Sequence, residues 1–413
     1  MSSLDKAMYK KSFTKNYSSS RPFRGGGSRS SFSRPRGGNS RGKNFGQYIN
    51  PAKFINKAVI TEEVEPFIPE HMFEDFKIDE KLKQAVIAKG YKTPTPIQDR
   101  TIPHILKNVD VIGIANTGTG KTAAFLIPLI DKVLRNREEK IIIVAPTREL
   151  AIQIDQELKD FARGLKIYSV CCVGGANIIP QIKLLKFHNN FIIGTPGRLK
   201  DLIGTRKIIL SQFSNIVLDE ADRMLDMGFV DDMRFIMAGM PRERQTLFFS
   251  ATISPEIERL IKEFLKEPIR ISVKTQDTPK SVEQDVVKIN RGSNKIDVLH
   301  NLLSQKEFNK VLIFGRTKHG VEKLSKLLVE KGFKAQSIHG NKNQSKRQQA
   351  LKLFKDNHVQ ILVATDVAAR GLDIADISHV INFDMPATYD DYVHRIGRTG
   401  RGNKKGKALT FIE

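Results

Sequence analysis

Ala115-Asn116-Thr117-Gly118-Thr119-Gly120-Lys121-Thr122 and, ninety-eight residues beyond Lys121, Asp219-Glu220-Ala221-Asp222 decide how this chain reads. Each segment follows an apolar run with the character of a buried strand. The first supplies a Gly-rich turn, from Ala115 through Asn116, Thr117, Gly118, Thr119 and Gly120, whose backbone N–H groups can point at phosphate oxygens. Lys121 suits the outer phosphates and the Thr122 hydroxyl suits Mg²⁺. A strict version of this loop has Gly at 115, where this chain has Ala115. The second segment adds the carboxylates that a hard cation and an attacking water still need. Together they describe a nucleotide hydrolase.

Working outward, the flanking pattern sets the architecture. Short apolar runs at Val111 to Ala115, Lys140 to Ala145, Tyr168 to Val173, Phe191 to Gly194, Asn215 to Leu218 and Thr246 to Phe249 alternate with helical stretches such as Gly120 to Arg135 and Ser254 to Lys266. That alternation predicts a parallel sheet with helices on both faces. A second series has strands at Val311 to Phe314, Ala335 to Ile338, Gln360 to Ala364, Val380 to Phe383 and Ala408 to Ile412. The polar, Pro-ended stretch Val273 to Lys280 lies between them and reads as a linker. The expected fold is α/β, two tandem doubly wound parallel-sheet domains, with boundaries at 61–272, 273–282 and 283–413.

Residues 1–60 carry 13 Lys and Arg against the single acid Asp5, roughly half of the chain's net charge of +23. This stretch is rich in Ser, Gly and Arg, with Phe23, Phe32, Phe45 and Tyr48 interspersed. It is too polar to offset the entropy of ordering, so it is expected to be a disordered basic arm. Guanidinium groups and rings in a flexible chain suit phosphate contact and base stacking, which favours nucleic acid as the partner over a plain solubility tail. The two cysteines, Cys171 and Cys172, are adjacent and offer no disulfide framework. Met1 to Lys11 has no apolar core, and no apolar run is long enough to span a bilayer, so the expectation is a cytoplasmic protein without membrane contact. The nine histidines show no ligand spacing and are given no metal.

Taken together, these segments resemble the DEAD-box ATP-dependent RNA helicases of helicase superfamily 2. The resemblance runs from Phe73 to the end of the chain, with a nucleotide-binding element at about 71–99 that contains Gly90 to Gln98. It includes Ala145-Pro146-Thr147-Arg148-Glu149-Leu150, Gly174-Gly175, Thr195-Pro196-Gly197-Arg198, Asp219 to Asp222 and Ser250-Ala251-Thr252. In the second half it includes His339-Gly340, Gln344, Arg347, Ala364-Thr365-Asp366, Ala369 to Asp373 and His394 to Arg401. Arg316 to Gly320 and His339 to Lys342 look most like the bacterial RhlE-type branch. The resemblance implies two RecA-like domains and an RNA-stimulated ATPase that separates short duplexes locally or remodels ribonucleoprotein. It also implies ATP and Mg²⁺ as cofactors.

Site roles follow from the resemblance, residue by residue. Gln98 suits the adenine edge, Tyr91 offers a ring to the base, Thr93 contributes backbone and Phe73 braces the element. Lys121 and the loop before it hold phosphates, Thr122 and Asp219 hold Mg²⁺ largely through water, and Glu220 positions and deprotonates the attacking water. Arg398 and Arg401 resemble arginine fingers, with Asp373 meeting the nucleotide from the same side. Thr147, Arg148, Gly174, Gly175, Thr195 and Arg198, with Arg316, Gln344, Arg347 and Thr365, contact RNA through phosphate and sugar without reading bases. Ser250, Thr252, Asp222 and His394 couple the two sites.

The implied partner is RNA of any sequence, single-stranded or in short duplexes, within ribosomal-precursor or RNA-decay assemblies, and the implied state is a monomer. Many relatives continue into a further helix and tail where this chain stops at Glu413, which implies a second lobe either clipped or less stable than usual. Two rivals share parts of the pattern. A superfamily 2 DNA helicase shares the phosphate loop and second-lobe arginines but not Tyr91 to Gln98 together with Asp219 to Asp222. A non-catalytic RNA clamp or chaperone has no need of Glu220, Arg398 and Arg401.

Overall fold

The Val, Ile, Leu and Phe runs pair side by side, because strands apolar on every residue can be buried only with both faces covered. In the computed structural model the described residues are 54–55, 67–116, 118–273, 282–290, 292–369, 374, 376–400 and 406–412. The first lobe contains β1 (Val111–Ile114), β2 (Ile141–Val144), β3 (Ser169–Cys172), β4 (Phe191–Gly194), β5 (Asn215–Leu218), β6 (Gln245–Ser250) and β7 (Ile269–Ser272). They form one sheet in the order β3-β4-β2-β5-β6-β1-β7, and each pair is parallel. The second lobe contains β8 (Val282–Lys288), β9 (Val311–Phe314), β10 (Ala335–Ile338), β11 (Ile361–Ala364), β12 (His379–Asn382) and β13 (Gly406–Ile412). Its order is β10-β11-β9-β12-β13-β8, again parallel throughout.

Strand periodicity then divides the core. Along β2, Ile141 and Ile143 point into one apolar cluster while Ile142 and Val144 point into another on the opposite face. In the second lobe Val311 and Ile313 part from Leu312 and Phe314 in the same way. Both sheets are therefore sandwiched between helices. Parallel strands direct all their carboxyl ends to one edge, which is where α/β sheets build their sites. No helix of the described residues is long and apolar enough to cross a membrane.

Three features were not foreseen. β7 and β8, with the residues Ile-Arg-Ile-Ser and Val-Glu-Gln-Asp-Val-Val-Lys, carry exposed polar side chains between their apolar ones, so they lack a continuous apolar run. β8 also opens at Val282, within the stretch read as linker. Phe54, within the stretch read as arm, is fully buried in the apolar cluster of the second lobe. The pair Phe54-Ile55 is too short to show a period. Residues 1–53 lie outside the described residues.

Candidate active site

The phosphate loop leaves the carboxyl end of β1 and turns into the helix Lys121–Arg135 through Gly120, whose φ of 91° favours glycine. A Cβ there would also collide with the Gln98 side-chain amide. Lys121 is buried, and its Nζ donates to the Ala115 carbonyl at 2.8 Å, so the loop closes over its own ammonium. Thr119 Oγ1 donates to Asn116 O at 2.8 Å, Gly118 has φ 86°, and Thr122 sits in the first turn of the helix. Thr117 lies outside the described residues.

Gln98 sits in the first turn of the helix Pro96–Leu106, behind the turn that Thr95 starts. Its Oε1 accepts from Thr95 N at 2.9 Å and its Nε2 donates to Gly120 O at 3.1 Å, which ties this helix to the phosphate loop. Next to it Asp99, 2 % exposed, accepts from the Glu70 and His71 backbone N–H groups and from the His71 ring. Tyr91 is set differently. Its ring lies edge-on to Phe73 at 5.8 Å and tilted against Phe161 at 5.4 Å, and its hydroxyl donates to Glu157 at 3.0 Å. The structure thus brings Gln98 to the phosphate loop and sets Tyr91 against the helix Arg148–Phe161. Phe73 is buried and Thr93 is exposed.

Asp219 follows β5, and β6 separates β5 from β1. Ser250-Ala251-Thr252, at the end of β6, therefore lies between the phosphate loop and the acidic segment. Asp219 is 2 % exposed and its Oδ1 accepts from Glu220 N at 3.0 Å. Burial pushes its carboxyl up to about 7; the Lys121 charge opposes this and the Glu220 charge adds to it. Glu220 has φ 49°, a left-handed backbone unusual for a non-glycine residue, and its buried Oε2 has no hydrogen-bond partner. Asp222 Oδ2 accepts from Ala251 N at 3.1 Å, Thr252 N at 2.9 Å and Thr252 Oγ1 at 3.0 Å, and Ser250 Oγ donates to Thr252 O at 2.7 Å. A shift in the acidic segment is felt directly at the end of β6.

From the second lobe, the helix Tyr389–Ile396 presents His394 and leads through Gly397 to Arg398, which is 4 % exposed. Arg395 anchors this helix: its guanidinium forms a fork on Asp366 at 2.6 and 2.8 Å and also donates to Asn382 Oδ1 and Asp384 O. A small cavity brings Arg223 of the first lobe beside His394, Arg395 and Arg398. Arg401 and Asp373 lie outside the described residues.

The other half of each carboxyl edge carries a second constellation. Thr147 caps the helix after β2 by accepting from Leu150 N, Gly174 follows β3, and Thr195 follows β4 and accepts from Gly174 N at 3.3 Å. The Arg148 guanidinium lies over Gly175 so closely that a Cβ there would clash, and Arg198 donates to Gln181 Oε1 and Ala176 O. In the second lobe Arg316, exposed after β9, donates its backbone N–H to Asp384, and buried Thr365 follows β11. Gln344 and Arg347 do not face open solvent. They reach across to Glu149 of the first lobe, Gln344 Nε2 at 3.3 Å and Arg347 Nη2 at 2.8 Å, and burial lowers the Arg347 pKa.

Glu149, Asp99, Arg223 and Arg395 carry contacts that sequence reasoning did not assign. Glu149 stands in a quoted segment, yet its partners lie 195 and 198 residues away, beyond the reach of any local pattern.

The comparisons accord with this arrangement. Residues 95–260 match the family model described as DEAD/DEAH box helicase, and residues 294–403 match the helicase conserved C-terminal domain. The chain is 46 % identical over 344 residues to the DEAD-box ATP-dependent RNA helicase CshA of Bacillus subtilis, covering 82 % of this chain and 69 % of that one. Among solved structures it is similar to S. cerevisiae Dbp5 bound to RNA and ADP BeF3, with TM-score 0.74, 30 % identity and coverage of 83 % of this chain and 89 % of that one. It is also similar to Mss116p bound to ssRNA and AMP-PNP, with TM-score 0.75, 31 % identity and coverage of 83 % and 75 %. Two RecA-like lobes, the paired family models and this degree of identity place the chain in the DEAD-box family of ATP-dependent RNA helicases.

Proposed function

We propose that the chain binds RNA through its backbone and couples ATP binding and hydrolysis to local duplex separation or ribonucleoprotein remodelling. The observation that carries this reading is the division of each carboxyl edge. β1, β5 and β6 gather Lys121, Asp219, Glu220 and the coupling residues, while β2, β3 and β4 gather Thr147, Arg148, Gly174, Gly175, Thr195 and Arg198. Asp222 and Ser250 to Thr252 belong to the first group, and Glu149 joins the second group to the other lobe. A nucleotide-driven shift in one half can therefore change the fit of the lobes at the other.

Within the nucleotide half, Lys121 holds the outer phosphates and Glu220 positions and deprotonates the water. Its free, buried Oε2 is the atom for that proton. The donors fit magnesium: the Thr122 hydroxyl and two buried carboxylates, one with an unpartnered oxygen and the other raised in pKa by its burial. Thr122 and Asp219 would hold it, and when bound it neutralises phosphate charge. Arg398, from the second lobe, meets the charge that develops on the transferred phosphoryl group. Hydrolysis is fast only with the lobes together.

Gln98 recognises adenine by exchanging its present bonds to Thr95 and Gly120 for the base edge, with Tyr91, Phe73 and Thr93 shaping that wall. Asp373 and Arg401 complete the site from the second lobe. The basic arm tethers RNA, and the chain works as a monomer in the cytoplasm on ribosomal-precursor or decaying RNA. Steady-state ATPase assays with RNA and with DNA of one sequence test the central part. Stimulation by RNA alone is expected, and equal stimulation by DNA would overturn it.

A further inference from the structure

Phe54 precedes the first lobe in sequence but is buried in the second. It belongs to the cluster of Val282, Tyr392, Ile396 and Ala408, and its ring centroid lies 4.6 Å from that of Tyr392 at an interplanar angle of 59°. Tyr392 is itself fully buried, and its hydroxyl donates to Gln284 Oε1 of β8 at 2.9 Å. The helix beneath this contact is Tyr389–Ile396, which carries His394 and ends just before Arg398. Arg398 N donates to Arg395 O at 3.2 Å and Thr399 N to Ile396 O at 3.1 Å, so the Arg398 backbone is set by the last turn of that helix. Arg395 fixes the turn on the Asp366 side. Phe54 covers the Tyr392 side from outside the lobe.

We propose that Phe54 is a positioning residue for Arg398, acting through Tyr392 and the helix Tyr389–Ile396. The proposal rests on the reading of Arg398 as the group that meets the transferred phosphoryl. A buried ring against a buried ring holds the helix by close packing, and without it the cavity is filled by helix movement or by water. Arg398 follows Tyr392 by six residues and lies just past the end of the same helix, so such movement displaces the guanidinium. The described packing partners of Phe54 all belong to the second lobe.

A double-mutant cycle in the full chain tests this. Single-turnover ATP hydrolysis at saturating RNA is measured for Phe54→Ala, Arg398→Ala and the double variant, per folded molecule counted by ellipticity. KM for ATP and fluorescent-ADP affinity are read alongside. Phe54→Ala is expected to slow hydrolysis by about tenfold or more, the scale of a small remote misplacement. KM and ADP affinity should hold, and Phe54→Leu should recover most of the rate. In the Arg398→Ala background Phe54→Ala should add nothing, because the group it positions is gone. An equal further loss in that background would show general damage and overturn the proposal, as would an unchanged rate in Phe54→Ala. If Phe54→Ala melts below the assay temperature, the cycle is run with Phe54→Leu, whose smaller loss must also vanish. An Arg398→Ala variant with normal hydrolysis would remove the finger reading and this proposal together. Slow Arg398→Ala with unaffected Phe54→Ala removes the positioning role alone.

Discussion

Glu220 combines a left-handed backbone, near-complete burial and an unpartnered carboxylate oxygen. An amide keeps the shape and cannot accept the proton, so Glu220→Gln should retain nucleotide and RNA binding. Hydrolysis should fall by about 10²–10⁴, the usual worth of a positioned base. Single-turnover rates check this, and loss of nucleotide affinity as severe as in Lys121→Ala would reject the assignment. Glu322 offers a test away from catalysis. Hydrogen bonds from Ser337 Oγ at 2.5 Å and the His339 ring at 3.0 Å hold its carboxyl down at about 2 against an ordinary 4.5. A carboxyl depressed by folding adds stability that is present above about pH 4.5 and lost as pH falls through about 2. Glu322→Gln should therefore melt lower than the parent at neutral pH, and the two curves should converge near pH 2; a constant gap would contradict it. Lys121, Asp219 and Glu220 were legible because loop and acidic segment are local patterns beside strands. Asp99 and Arg395 were not, since what they do depends on partners 28 and 29 residues away in sequence that only the fold brings into contact.

At the scale of elements, the helix Arg148–Phe161 of the first lobe meets the helix Gln344–Lys355 of the second at Glu149. Its side chain and that of Arg347 are 5 % and 8 % exposed. Removing one partner of such a pair leaves a buried charge unanswered, at a cost of about 3 kcal/mol or more, or a hundredfold in a closing equilibrium. Glu149→Gln should weaken RNA affinity measured with a non-hydrolysable ATP analogue by at least tenfold. Affinity without nucleotide, when closure is not demanded, should hold. An unchanged affinity with the analogue, or the same loss with and without nucleotide, would show that the contact does not support closure. Strands buried on both faces announced themselves as apolar runs, whereas β7 and β8 did not, because exposed polar residues such as Arg270, Glu283 and Asp285 interrupt them. Gln344 and Arg347 were read as RNA contacts; that they reach Glu149 of the first lobe could not be read from sequence, because it depends on how the two sheets meet.

Across the whole molecule, strand order rather than any single motif separates the two groups of residues. The order β3-β4-β2-β5-β6-β1 sets one constellation at each half of the edge, and parallel strands made that edge predictable. The reach of the N-terminal segment was not predictable: Phe54 belongs to the second lobe, and only a long-range contact reveals it. Removing residues 1–45 deletes most of the basic arm and keeps that anchor. RNA affinity at low salt should fall and the slope of log affinity against log salt should flatten, by roughly 0.7 for each single-strand phosphate that the arm no longer neutralises. Turnover at saturating RNA should hold. An unchanged slope would assign the arm another task.

The central claim is that one lobe binds the nucleotide and the other completes the site with Arg398. Single-turnover hydrolysis by Arg398→Ala at saturating RNA and ATP, beside its affinity for fluorescent ADP, tests it most directly. The account predicts a rate lower by on the order of 10³ with affinity retained. A near-normal rate, or a loss of affinity that accounts for the slower turnover, would contradict it.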